Sequence, residues 1–402
     1  MKIGLVGFAG SGKTTVFNAM TGLNVPVGIG GEIRLGTVKV PDDRIDTLSS
    51  IFSPKKTTYA EMRFCDIPGE YGADKKGLSP RALQQIRDQE ALCLVLRDFA
   101  NPDLSDEPNP IGDLQAFSSE CLLADLEIVE RRLDRIRKEG GNAVEIATLE
   151  KAYTTLMSEH PLRSLSHQEF NRELLRGYGL LTDRPLLVIL NHAEANAAND
   201  LPRTLKDEIE TLGAGGLALS ASVEAEIADL DLEDQAEFLE DLGLQRSALT
   251  RFIRTSYALL DLISFFTVGP DEVRAWTITR GMTARPAAGR IHSDLERGFI
   301  RAEVTPYDVF MKYGSEQAVK EAGRKAPGWM SYGFRIAPNS FASRRRKSIG
   351  SMPSAITSAC MSVVTTLLGP IFCCKPSRAW KNGSILQSSF VSIGPLSFAK
   401  IA

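Results

Sequence analysis

The chain has 402 residues, of which 43% are hydrophobic and 24% charged, and its formal net charge is −3 at pH 7. This composition is ordinary for a globular protein of two or three domains, and the slight negative charge disfavours a protein whose whole surface binds DNA. The six cysteines are irregularly spaced, without C-x-x-C, and do not predict a disulfide framework. None of the four histidines is paired at helical spacing, so no structural zinc site is expected. We therefore expect a reduced, cytoplasmic protein that binds neither DNA nor a membrane.

A glycine-rich motif stands at the start of the chain, between an apolar segment (residues 3–6) and a helical one. It has the form G-x-x-x-x-G-K-T, in which backbone N–H groups surround a phosphate and the helix N-terminus adds favourable partial charge. The residues predicted here to bind nucleotide are Gly7, Phe8, Ala9, Gly10, Ser11, Gly12, Lys13, Thr14 and Thr15. Lys13 is expected to reach the outer phosphates as a catalytic residue, and Thr14 to bind Mg²⁺.

An acidic element follows further along the chain, where an alternating segment ends at Asp66 and continues into Pro68 and Gly69. A lone aspartate at a strand end is more often a turn residue. In combination with the phosphate motif, however, D-x-P-G predicts that Asp66 is a second magnesium ligand and that Gly69 binds the terminal phosphate.

Two amphipathic segments between residues 116 and 176 predict an inserted helical hairpin. Gly140 and Gly141 separate them and are expected to end the first helix. The apolar positions expected to pack between the two helices are Leu122, Leu126, Val129, Leu133 and Ile136 in the first, and Val144, Leu149, Ala152 and Leu156 in the second.

A third motif ends the apolar segment 186–190, where Asn191 and His192 precede Ala193 and Glu194. Many P-loop switches have N-K-x-D here, and the aspartate accepts hydrogen bonds from two donors of guanine. Glu194 is one methylene longer and cannot occupy the same position unless the base moves. A site built on matched polar pairs discriminates strongly between bases. The residues predicted to contact nucleotide around this motif are Asn191, His192, Glu194, Ser220 and Ala221.

The order of these segments predicts an α/β P-loop fold with a mostly parallel sheet, because nearly continuous apolar strands alternate with helices. The motifs all fall at carboxyl ends of strands, where such sheets bind ligands. We expect a nucleotide-binding domain from residues 1–115 and 177–262, the hairpin at 116–176, and a small β-grasp domain at 263–332.

Residues 333–402 differ from the rest of the chain, since they contain nine Lys or Arg and no Asp or Glu. One interpretation is a basic tail that binds membranes or RNA. The favoured interpretation is an atypical tail that is disordered or comes from a shifted reading frame, because the segment lacks helical or strand periodicity.

Several longer stretches resemble the YchF-type, Obg-related P-loop ATPases over about residues 1–332. These are "NHAE", "DIPG", "VEAEIADLDLEDQAEFLEDLGL", "LISFFTVGPDEVRAWTITRGMTA", "GRIHSDLERGFIRAEVTPYDVF" and "GSEQAVKEAGR". The resemblance implies a preference for ATP over GTP, slow Mg²⁺-dependent hydrolysis and a C-terminal TGS domain of β-grasp type. It also implies an association with ribosomes or RNA, for which the hairpin and the TGS domain are the candidate surfaces.

The chain departs from the family pattern at three positions. Gly10 replaces an asparagine linked to a potassium site, and Gly30 stands where a magnesium-sensing threonine is expected. Glu70 replaces a hydrophobic residue, and it is either a catalytic group that positions water or an exposed loop residue. Two alternatives therefore stay open: a GTPase of the same fold, and a nucleotide-binding adaptor that does not hydrolyse.

Overall fold

The computed structural model describes residues 2–26, 33–68, 78–140, 142–166, 169–242, 244, 247–300, 302–325, 332–334 and 362–365. The strands are β1 (Lys2–Val6), β2 (Arg34–Lys39), β3 (Lys56–Thr58), β4 (Glu61–Asp66), β5 (Ala91–Asp98), β6 (Leu186–His192), β7 (Gly215–Leu219), β8 (Leu262–Val268), β9 (Glu272–Thr279), β10 (Ala302–Pro306), β11 (Tyr332–Phe334) and β12 (Ser362–Thr365).

The helices are α1 (Lys13–Thr21), α2 (Asp43–Phe52), α3 (Pro80–Arg87), α4 (Pro110–Glu139), α5 (Ala143–Met157), α6 (Arg172–Leu175), α7 (Arg203–Thr211), α8 (Ala221–Asp229), α9 (Leu232–Asp241), α10 (Ala248–Leu259), α11 (Ala284–Ile291), α12 (Ser293–Arg297), α13 (Tyr307–Tyr313) and α14 (Glu316–Lys325). Short 3-10 turns lie at Leu162–Ser164, Arg176–Tyr178 and Glu194–Asn196.

The first sheet has the order β2-β4-β1-β5-β6-β7, and only β2 runs antiparallel to its neighbour. Strand β6 is buried throughout: its odd residues face one apolar core and its even residues face the other. This two-sided burial explains the continuous apolar run in the sequence. The predicted α/β P-loop fold is confirmed, and β1, β4, β5, β6 and β7 end at one edge of the sheet.

The second sheet has the order β11-β10-β12-β8-β9-β3. Its edge strand β3 comes from the N-terminal part of the chain and pairs in parallel with β9, so that Lys56 lies opposite Glu272. Both sheets also contribute to one apolar core, in which the rings of Phe64 and Phe252 stand 5.5 Å apart. The C-terminal sheet is therefore joined to the nucleotide sheet by a strand and by shared packing.

Strand β12 lies between β8 and β10 and belongs to the segment predicted as an atypical tail. Apart from β12 and the last two residues of β11, residues 333–402 lie outside the described part of the chain. The expectation of disorder or a shifted reading frame there stays a prediction.

The hairpin consists of α4 and α5, and α4 begins at Pro110, earlier than the predicted start of the insertion. Asn109 caps it by accepting the Gly112 N–H at 3.1 Å, and proline suits the first helical position. The apolar residues predicted to pack between the helices do so, with one exception. Val144 is 57% exposed because it lies in the first turn of α5, beside the hairpin tip.

Among the described helices, none is both long and apolar enough to cross a lipid bilayer. Even the 30-residue α4 carries charged side chains along its length.

Candidate nucleotide site

The glycine motif forms a loop between β1 and α1 whose shape depends on glycine. Gly7, Gly10 and Gly12 have φ angles of 145°, 74° and 86°, a region that other residues rarely adopt. A Cβ on Gly7 would lie 2.5 Å from the Val95 carbonyl oxygen, and one on Gly12 would lie 2.2 Å from Asn191 Nδ2. The loop is therefore packed closely against the middle of β5 and the end of β6. Phe8, Ala9 and Thr15 lie half-buried in this loop and in the first turn of α1.

Lys13 is buried beneath the loop, with only 7% of its surface exposed. Its Nζ donates hydrogen bonds to the carbonyl oxygens of Gly7 at 2.9 Å and Phe8 at 3.0 Å. Burial lowers the pKa of Lys13 to about 8, and the negative charge of Asp66 opposes part of that shift. A buried ammonium of this kind gains from a nearby anion, which is what a bound phosphate supplies.

Thr14 and Asp66 meet directly at the start of α1 and the end of β4. The threonine hydroxyl donates to Asp66 Oδ2 at 3.0 Å, and Arg34 Nη1 stands 3.8 Å from the same oxygen. Asp66 Oδ1 is buried and has no hydrogen-bond partner among the described residues. A hydroxyl beside a carboxylate with an unsatisfied oxygen is a donor set that fits Mg²⁺, which takes few protein ligands and completes its shell with phosphates and water.

Asn191 joins three elements at the edge of the sheet. Its Nδ2 donates to the Ser11 carbonyl oxygen at 3.0 Å, and its Oδ1 accepts the Ala221 N–H at 2.9 Å. The side chain is 3% exposed. Asn191 therefore braces the P-loop against the start of α8, and its predicted contact with nucleotide stays a prediction. Ser220 is also buried, and its hydroxyl lies 3.0 Å from that of Ser222.

The side chains of His192 and Glu194 lie in different environments. His192 is buried, and its Nδ1 lies 2.7 Å from Asp98 Oδ2 on the neighbouring strand β5. Glu194 is exposed and begins the 3-10 turn Glu194–Asn196. The described contacts thus connect His192 to Asp98 rather than to the P-loop. Nucleotide contact by either residue stays a prediction.

Three positions singled out in the sequence, Gly30, Gly69 and Glu70, lie outside the described residues. The predictions made for them are unchanged.

The connection between β5 and α4, residues 99–109, has no role predicted from the sequence. Arg97, at the end of β5, is 7% exposed and donates to the carbonyl oxygens of Phe99 at 3.1 Å and Asp106 at 2.6 Å. It thereby anchors this connection beside the P-loop. The only signal in the sequence was the charged pair Arg97 and Asp98 at the end of an otherwise apolar strand.

Comparisons with known proteins agree with this architecture. Residues 2–125 match a family model described as a 50S ribosome-binding GTPase, and residues 262–329 match a YchF C-terminal model described as a protein of unknown function (DUF933). The chain is 38% identical over 340 residues to the ribosome-binding ATPase YchF of Bacillus subtilis, covering 80% of this chain and 93% of that protein. It is 39% identical over 338 residues, with the same coverage, to the YchF protein of Escherichia coli O157:H7.

The chain belongs to the YchF family. The structure of the Schizosaccharomyces pombe YchF GTPase is similar, with a TM-score of 0.71 and 31% identity, and the match covers 83% of this chain and 94% of that one. The family resemblance expected from the sequence is therefore confirmed, together with the P-loop fold.

Proposed function

We propose that this YchF-family chain is an Mg²⁺-dependent ATP-binding switch that hydrolyses ATP slowly and acts on or near ribosomes in the cytoplasm. The observation that carries the proposal is the set of direct bonds at the P-loop. Thr14 bonds to Asp66, and Asn191 bonds to Ser11 and Ala221. The relatives from B. subtilis and E. coli, named ribosome-binding ATPases, support the choice of nucleotide and of partner.

The chemistry is that of positioning and charge neutralisation, as in other phosphoryl transfers. The backbone N–H groups of the loop bind phosphate oxygens, and the Lys13 ammonium lies where it can turn from the carbonyls of Gly7 and Phe8 to the outer phosphates. Thr14 and Asp66 would hold Mg²⁺, which neutralises charge on the phosphate oxygens when bound. Glu70 is the candidate for positioning the attacking water.

Adenine selection is assigned to the loop after β6. Asn191 is fixed by two bonds that do not depend on the base, so it braces the site for either purine. Glu194, one methylene longer than the guanine-reading aspartate, is exposed and free to meet a different base edge. Hydrolysis of GTP is the second candidate, favoured by the GTPase description of the matching N-terminal model.

Phosphate release tests the hydrolysis. The full-length chain is incubated with ATP and Mg²⁺, and release is compared with that of Lys13→Ala and with a sample containing a chelator. Slow release that needs both Lys13 and Mg²⁺ supports the proposal. ATP binding without any release contradicts hydrolysis and favours the nucleotide-binding adaptor.

Ribosome association is tested by co-sedimentation of the full-length chain with 50S subunits and with 70S ribosomes. The proposal expects pelleting that depends on which nucleotide is bound. The same small pelleted fraction with ATP, with ADP and without nucleotide would count against a ribosome-linked switch.

A further inference from the structure

The β5–α4 connection occupies the space where a side chain on Gly10 would lie. A Cβ on Gly10 would stand 2.7 Å from Leu104 Cδ1 and 2.9 Å from Asn101 Nδ2, closer than real Cβ contacts. A Cβ on Gly12 would be 3.9 Å from the ring of Phe99, which is van der Waals contact. One side of the phosphate loop is therefore covered by the β5–α4 connection, which lies about ninety residues later in the chain.

Hydrogen bonds within the β5–α4 connection fix the orientation of Asn101. Its Oδ1 accepts the Asp103 N–H at 3.0 Å, and its backbone oxygen accepts the Leu104 N–H at 3.0 Å. With Oδ1 held on the turn, the amide nitrogen faces the P-loop, where it lies 3.5 Å from the Gly10 carbonyl oxygen. That distance is at the outer limit of a hydrogen bond, and the amide has two N–H groups to donate.

We propose that Asn101 is a phosphate-binding residue, whose side-chain amide donates to an oxygen of the nucleotide held in the P-loop. The donor stands within hydrogen-bonding distance of the loop that surrounds the phosphates, and Arg97 anchors the segment that carries it. Leu104, in the same segment, places its Cδ1 beside Gly10. This assignment rests on the nucleotide binding proposed above.

The test is the calorimetric affinity of the full-length chain for ATP and ADP in Mg²⁺. Asn101→Ala removes the donor and is expected to raise Kd about tenfold or more for both nucleotides, as for a lost hydrogen bond to a charged group. Asn101→Asp keeps the shape and the oxygen that accepts the Asp103 N–H, but it replaces the donor by a negative charge. It is expected to bind more weakly than Asn101→Ala.

The aspartate variant separates phosphate contact from a role confined to the turn, because a side chain that only accepted the Asp103 N–H through Oδ1 would tolerate Asp. Asp103→Ala is the matched control: it keeps the backbone N–H that binds Asn101 and alters an exposed side chain of the same turn. It should bind ATP at least as tightly as the wild type. Wild-type affinity in Asn101→Asp would overturn the proposal.

Urea unfolding of the nucleotide-free chain is a second test, because the Asn101 amide nitrogen also lies 3.5 Å from the Gly10 carbonyl oxygen. If Asn101 binds phosphate, Asn101→Ala should weaken ATP binding with little change in the free energy of unfolding. A loss of stability as large as the loss of binding free energy would assign Asn101 to bracing the loop and overturn the proposal. If the folded wild type does not bind ATP, the proposed function fails. If the wild type binds ATP and the Asn101 variants bind it equally tightly, only this inference fails.

Discussion

The two ends of the candidate nucleotide site are built differently. At the phosphate end, Lys13, Asp66 and Asn191 are buried and bonded to the P-loop or to α1. At the base end, Glu194 is exposed on a short turn, and His192 pairs with Asp98. A preorganised phosphate site loses little freedom on binding, whereas an exposed side chain must be ordered. Affinity and base preference should therefore respond to different mutations.

Lys13→Ala should have the largest effect, because it removes the buried positive charge of the phosphate end. ATP turnover is expected to fall by about 10²-fold or more, in the range found when one transition-state donor is lost. Steady-state phosphate release measures it, with Lys13→Arg as the control that keeps the charge. Turnover of Lys13→Ala within threefold of the wild type would contradict the role of Lys13.

Asn191→Ala should destabilise the protein and weaken the binding of ATP and of GTP by the same factor. The variant leaves the Ser11 carbonyl oxygen and the Ala221 N–H buried without their partner, and each such group costs about 1–3 kcal/mol. Urea unfolding measures the loss, and calorimetry measures Kd for ATP and GTP. A changed ratio of the two affinities would show that Asn191 reads the base as well.

Asp66→Asn should raise the Mg²⁺ concentration needed for ATP binding by about tenfold, because it removes the ligand charge and keeps the side-chain shape. Nucleotide affinity is titrated against Mg²⁺ for the variant and the wild type. The metal-free affinity of the variant serves as its own control, since it should change much less. An unchanged Mg²⁺ requirement would remove Asp66 from the metal site.

Glu194→Asp should have the smallest effect on stability, within about 0.5 kcal/mol, because the side chain is exposed. Its effect should appear in specificity, as a shift of the ATP-to-GTP affinity ratio toward GTP by about tenfold. Glu226→Asp is a matched control on the exposed face of α8. An unchanged ratio would place base selection elsewhere.

Local patterns placed the glycine turn and the strand-end positions of Asp66 and Asn191, because the glycine spacing fixes the turn and both residues follow apolar strands. The nucleotide and magnesium roles given to them stay predictions. The contacts that the sequence did not predict join distant segments. Asp98 meets His192 only because β5 and β6 pair in that register. Asn101 reaches Gly10 from the connection that Arg97 holds by two hydrogen bonds. Neither pairing leaves a periodic trace in the chain.

Two strands of the C-terminal sheet were likewise not predictable from the sequence. A three-residue strand such as β3 is too short for its alternation to be read, and its partner β9 lies more than two hundred residues later. Strand β12 occupies a central position in the sheet although its segment has an unusual composition. Experiments on this protein should therefore keep the full-length chain.

The most direct test of the account is calorimetric titration of the full-length chain with ATP and with GTP in Mg²⁺. We predict clearly tighter binding of ATP than of GTP, with both affinities lost in Lys13→Ala. GTP binding as tight as or tighter than ATP binding would contradict the assignment of adenine to the site around Glu194.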